Sequence, residues 1–215
     1  MIDAYKQAIK RIIKCKRFGV VTLAIDITKE RFYGEKRDFH IYHCDENYES
    51  KAEFHYMVIS IVGAEKNLPL MALPVTLGCY RPELVEELLL FVNSLLRVKL
   101  VLFDRGFVSA EPIHVLQKLK VNYLIFAKKY KKLGDILKSI EESAIIEHEM
   151  KYEKDKSTFK VGTYLVMVKD EYDWAFYTNL LIDDAKYYIK LYKKRWQIET
   201  NFRVEDEAKI KSKSV

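Results

Sequence analysis

Apolar residues recur at two different periods along this chain, and the alternation between them predicts where helices and strands lie. Ala8, Ile9, Ile12 and Ile13 fall at helical spacing within residues 4–16, with Lys and Arg between them, which predicts a short amphipathic basic helix. Residues 18–28 (FGVVTLAIDIT) are β-branched and almost continuously apolar, the pattern of a central strand buried on both faces, with one acid, Asp26, inside it. Residues 37–44 and 54–64 have strand composition on either side of a polar turn, so three successive strands are expected to form a meander, which residues 70–76 extend. Arg81-Pro82 opens a helix expected to reach Arg97, with Leu84, Leu88, Phe91 and Leu95 on one face.

The second half alternates in the same way. Residues 99–103 (KLVLF) predict a buried strand ending in Asp104-Arg105-Gly106-Phe107, where Gly106 is expected to let the backbone turn sharply. A helix from Ser109 to Leu119 and a strand at 123–127 follow, and this strand–helix–strand spacing argues that the two strands run parallel. From residue 131 the pattern changes to a helix at 133–142 and strand-like runs at 144–152, 158–169 and 174–179. Asp183-Asp184-Ala185 then caps a long final helix from Lys186 to about Ala208. The fold class is therefore α/β, in four parts: a basic amphipathic helix (1–17), the first part of a core (18–130), a β-rich insertion (131–182), and a final helix with a basic tail (183–215).

Composition narrows the class further. The chain has 215 residues, 49% hydrophobic and 32% charged, enough for one sizeable core, and its low Gly and Pro content excludes disordered and fibrous classes. Glu86, Glu87, Arg97 and Lys99 interrupt the most apolar long stretch, so no membrane span is expected, and the basic N-terminus is no secretion signal. Cys15, Cys44 and Cys79 form no CxxC pair and fit a reducing cytoplasm. Lys and Arg number 37 against 31 Asp and Glu, a net +6 that permits a polyanionic partner, with the excess concentrated at the two ends and in Lys128, Lys129, Lys131 and Lys132.

Three carboxylates stand out by position: Asp26 within an apolar strand, Asp104 at the C-terminal end of another, and Glu199 on the last helix. A charge inside an apolar strand requires a partner, and ligands of parallel sheets collect at the carboxyl ends of strands. Brought together, the three form an oxygen-rich site suited to Mg²⁺ or Mn²⁺, and two such ions support in-line displacement at a phosphodiester. Each also has a plain structural alternative; Arg195, four residues before Glu199, would explain that residue as one half of a surface ion pair. His40, His43, Cys44 and His55 match no zinc pattern and are explained by alternation along strands. Trp196, Tyr187 and Tyr188 read as packing residues.

In LAIDIT and the FYG at 32–34, VLFDRGF, and YKKRWQIETNFR, the chain resembles the insertion-sequence transposases of the DDE class. These carry a Tyr-Arg-Glu-Lys signature on the last helix of an RNase H-like catalytic domain, a mixed sheet flanked by helices with a β-rich insertion before that helix. The resemblance implies that Asp26, Asp104 and Glu199 are the catalytic, metal-binding triad, using two Mg²⁺ or Mn²⁺ ions to cut element ends and join the 3′-OH to target DNA. It also implies a homodimer on double-stranded DNA. Tyr192, Arg195 and Glu199 share one helix face, so Tyr192 and Arg195 can hold a phosphate, while Arg105, Lys128 and Lys129 can contact the DNA backbone. Two features depart from the group. Asp206 stands where its signature has Lys, and the chain lacks the usual flanking regions, so it reads as truncated at both ends. The alternatives are a non-catalytic remnant with residual DNA binding and an RNase H-like host nuclease.

Overall fold

A computed structural model describes residues 2–32, 41–43, 52–63, 67–128, 130–200 and 202. The basic opening segment forms helix α1 (Ile2–Lys16), which turns Ile9 into the core and leaves its charges to solvent. Strand β1 (Val20–Phe32) follows, then β2 (Ile41–His43), β3 (Ala52–Val62) and β4 (Leu68–Val75). Helix α2 (Arg81–Asn93) starts with Pro82 in its first turn, as the sequence predicts, and ends four residues before Arg97, which instead begins β5 (Arg97–Phe103). A single 3₁₀ turn (Arg105–Phe107), α3 (Ala110–Lys118) and β6 (Tyr123–Phe126) come next, then α4 (Lys131–Ser139), β7 (Ser143–Lys154), β8 (Ser157–Lys169), β9 (Asp173–Thr178) and α5 (Ala185–Lys193).

The nine strands make one mixed sheet, ordered β2-β3-β1-β5-β6-β9-β8-β7, with β4 also on β3. The expected parallel pair is present: β5 runs parallel to β6, and also to β1. The expected meander is not. β3, not β2, pairs with β1, and β2 lies against β3 at Ala52 to Phe54 while β4 takes over the same edge from His55 onward. The eleven-residue β3 matches the thirteen-residue β1 in length and in apolar pattern, and pairs with it from Thr22 opposite Val62 to Phe32 opposite Ala52. Strands β7 to β9 continue the sheet from the edge of β6, with Leu124 opposite Thr178.

Alternation of side chains sorts the core into two layers. Odd positions of β1 (Val21, Leu23, Ile25) and their neighbours on the other strands face α1, α2, α3 and α4. Even positions, Ala24 among them, face α5 together with Leu100, Leu102, Leu124, Val166 and Phe176. This is a sheet-dominated α/β fold compatible with the RNase H-like class. Asp26, the next even position, points to the α5 side, which sets the place of the site.

Candidate active site

The parallel register sets Ile25 opposite Phe103, so Asp26 and Asp104, each the following residue, stand at the same level on adjacent strands. Asp104 precedes the 3₁₀ turn without using its side chain as a cap, which leaves the carboxylate for other partners. Gly106 lies in that turn without entering the left-handed region, so the sharp turn does not depend on glycine's freedom there.

The third carboxylate arrives by a helix that differs from expectation. Asp184 caps α5, its side chain accepting from the Lys186 N–H at 2.9 Å, but the helix ends at Lys193 instead of running on unbroken. The N–H groups of Lys194, Arg195, Gln197 and Ile198 each bond three residues back, to the carbonyls of Leu191, Tyr192, Lys194 and Arg195, and helix resumes only at Trp196. This tightened turn lets Tyr192, Arg195 and Ile198 all be buried. Residues 203–215, with Asp206, Lys209, Lys211 and Lys213, lie outside the described residues, and with them the rest of the expected helix.

Arg195 joins two of the three acids directly, and the third is reached through Tyr192. Its Nη1 donates to Asp26 Oδ2 at 2.6 Å, its Nη2 to Glu199 Oε1 at 2.6 Å and its Nε to the Tyr192 hydroxyl at 2.9 Å, while that hydroxyl lies a long 3.4 Å from Asp104 Oδ1. The side chains of Arg195 and Asp26 are 5% and 17% exposed and that of Glu199 is 55% exposed, so the cluster runs from the sheet out to water. The plain reading of Glu199 as half of an i,i+4 ion pair is thus right about the pair, but its arginine is buried and shared with Asp26. Burial pushes the Asp26 carboxyl up from 3.8 to about 6, outweighing the pull of Arg195 and of the Ile27 N–H. Burial likewise pushes the Tyr192 phenol up, against Arg195. For Arg195, burial acts against the charge, but Tyr192, Asp26 and Glu199 more than offset it and raise its basicity.

A family match covers most of the chain: residues 24–213 fit the model of the transposase DDE domain. The chain belongs to that family. No curated protein matches it. Among solved structures, the transposase domain is similar to endonuclease V from Bacillus subtilis at 12% identity, with 93% of this chain and 91% of that one covered and a TM-score of 0.39. So loose a likeness bears on neither fold nor chemistry.

DDE transposase domains generally depend on divalent metal ions, and the donor set of this domain suits a hard cation, since it is all oxygen. Its arrangement does not. Both Asp26 oxygens are engaged, Oδ1 by the Ile27 N–H at 2.8 Å and Oδ2 by Arg195. Among the described residues, no three acidic, His or Cys side chains are grouped so that they could hold one ion. The guanidinium lies between Asp26 and Glu199, and as they stand the residues do not fit a metal.

The other expected contacts are more scattered. Arg105 is exposed on the 3₁₀ turn beside Asp104, and Lys128 is exposed just past β6. Lys129, the FYG residues Tyr33 and Gly34, His40 and Cys44 lie outside the described residues, as does the side chain of His43. His55 sits 3.1 Å from Glu53 two positions earlier on β3, as strand alternation predicts. Tyr188 packs as expected, donating to the Leu180 carbonyl, but Trp196 is 47% exposed and Tyr187 is also at the surface, which corrects the packing reading for both. The tightened turn after Lys193 brings Trp196 outward.

Sequence reasoning did not find the residues that brace the site. Phe126 stacks on Tyr192 with centroids 5.2 Å apart, and Phe176 and Trp174 close the same aromatic floor. Gln197 Oε1 accepts from the Gly63 N–H at 2.6 Å, which ties the helix after the turn to the end of β3. Nothing in the spacing of Gly63 or Gln197 announces a contact across 134 positions.

Proposed function

We propose that this chain is the catalytic domain of a DNA transposase that cuts the ends of its element and transfers the resulting 3′-OH into target DNA. The observation that carries the reading is the gathering of Asp26, Asp104 and Glu199 around Tyr192 and Arg195, beside the carboxyl end of β5 where its parallel pairing with β1 stops. Water, then a DNA 3′-OH, is the nucleophile, so no residue needs to be covalently modified. Tyr192 and Arg195 are suited to a phosphate, since a guanidinium fork matches phosphate as it matches carboxylate. Arg105, next to Asp104, and Lys128, just past β6, are exposed cations that can contact the backbone of double-stranded DNA without reading its sequence. A homodimer engaging two element ends is the assembly proposed, with Mg²⁺ or Mn²⁺, two ions, as the cofactor, and Asp26, Asp104 and Glu199 as the catalytic residues.

The test uses the full chain, Mn²⁺ and a duplex bearing the terminal sequence of the element that flanks the gene. Nicking at the 3′ end of that sequence, followed by joining to a second duplex, is expected, and Asp104→Asn is expected to abolish both. Cleavage with no preference for the terminal sequence would favour a host nuclease instead. A second reading, a non-catalytic remnant that still binds DNA, is favoured by the seat of Arg195 among the acids. It predicts DNA binding with no nicking under any ion condition.

A further inference from the structure

The family's requirement for divalent ions and the closed arrangement of the acids disagree, and Arg195 is where they do. Its guanidinium takes one oxygen each of Asp26 and Glu199, while its third edge is satisfied by Tyr192. A buried arginine with each of its three side-chain nitrogens donating in this way is a structural cation, not a surface ion pair. The fork is also planar and extended, so it cannot share the same carboxylate oxygens with an ion held between them.

We propose that Arg195 is the resident cation of the free domain and a latch on its active site: the carboxylates hold either this guanidinium or divalent ions, not both. This rests on the reading of Asp26, Asp104 and Glu199 as the ion-binding acids. The exchange is a swing of the arginine side chain, because the backbone around it is fixed on both sides. Tyr192 and Ile198 are buried in the layer under α5, and Gln197 is bonded to Gly63. Glu199, the most exposed of the acids, marks the side from which an ion enters and toward which the guanidinium leaves. On that side a phosphate of the DNA backbone is a competing partner of matching geometry, so substrate and ion would be taken up together.

Two measurements on the full chain test this. Mn²⁺ binding is followed by electron paramagnetic resonance in the wild type and in Arg195→Gln, and the Nε–H signal of the buried arginine is followed by ¹⁵N NMR while Mg²⁺ is added to the wild type. The variant is expected to bind Mn²⁺ about tenfold more tightly or better, since a competing buried charge is gone. In the wild type the protected Nε–H signal should be lost in step with ion binding, a change that a merely nearby charge would not produce. The NMR titration needs no variant, so it stands even if Arg195→Gln fails to fold.

Ion binding that Asp104→Asn removes but that leaves the arginine signal untouched would overturn the latch while keeping the ion reading. Binding by neither protein at millimolar Mn²⁺ would overturn both.

Discussion

Inside an apolar strand an ionised carboxylate must be compensated, and Asp26 is compensated only in part. The Ile27 N–H and the Arg195 guanidinium both favour its charge, yet burial dominates and its carboxyl is held at about 6. A carboxyl raised above its unfolded value near 3.8 binds its proton more tightly when folded. Its contribution to stability is therefore complete below that value and is lost as pH rises through about 6. In ion-free buffer, the stability of the wild type relative to Asp26→Asn is expected to fall by on the order of 2–3 kcal/mol between about pH 4 and pH 7. Urea unfolding of both proteins across that range checks it, and a pH-independent difference would contradict it. This residue was legible in the sequence because a charge in FGVVTLAIDIT is chemically out of place, and the same holds for Asp104 and for Arg195 and Glu199 on a shared helix face. Gly63 and Gln197 were not legible, since glycine after a strand and glutamine on a helix are ordinary there, and only the fold makes them partners.

At the scale of elements, the sequence announced almost every helix and strand, because each is long enough for its period to show. What it missed were order and continuity. The place of β3 beside β1 is a choice among pairings that local patterns do not encode, and the break after Lys193 arises from burying Tyr192, Arg195 and Ile198 at once, a tertiary demand on a locally good helix. The brace on that break is testable. Gly63 has φ +76° and an added Cβ would come within 2.8 Å of Lys194 Cδ, so Gly63→Ala is expected to cost about 1–3 kcal/mol by thermal unfolding. The Gly63→Ala, Lys194→Ala double variant should recover only the part due to the clash. A second element-scale prediction concerns the join between β6 and the strands that extend the sheet. Tyr123 OH donates to Thr163 Oγ1 at 2.9 Å, which donates to the Thr178 carbonyl at 3.0 Å, while Thr178 Oγ1 donates to the Tyr123 carbonyl at 2.6 Å. Thr163→Val leaves the buried Tyr123 hydroxyl without its acceptor, and a loss of about 1–3 kcal/mol is expected in denaturant unfolding.

For the molecule as a whole, a single sheet carries both the strands that hold the acids and those that extend past β6, so the two parts share one layered core. The net charge of +6 alone distinguishes little, but Arg105, exposed next to Asp104, and Lys128, exposed just past β6, are cations through which it can act on DNA. DNA affinity is expected to fall linearly on a log–log plot against salt, with Arg105→Ala and Lys128→Ala each lowering the slope by roughly 1. A slope unchanged by either variant would move the DNA path elsewhere on the surface. The pairing of Asp26 with Arg195 also bridges 169 positions of a 215-residue chain. On a ribosome adding 5–20 residues each second, roughly 10–30 s separate the two side chains, and for that interval the first strand carries an acid whose counter-charge has not yet been made. The nascent domain therefore cannot close its centre until the segment bearing Arg195 emerges, which makes synthesis of that segment the step that neutralises the buried acid.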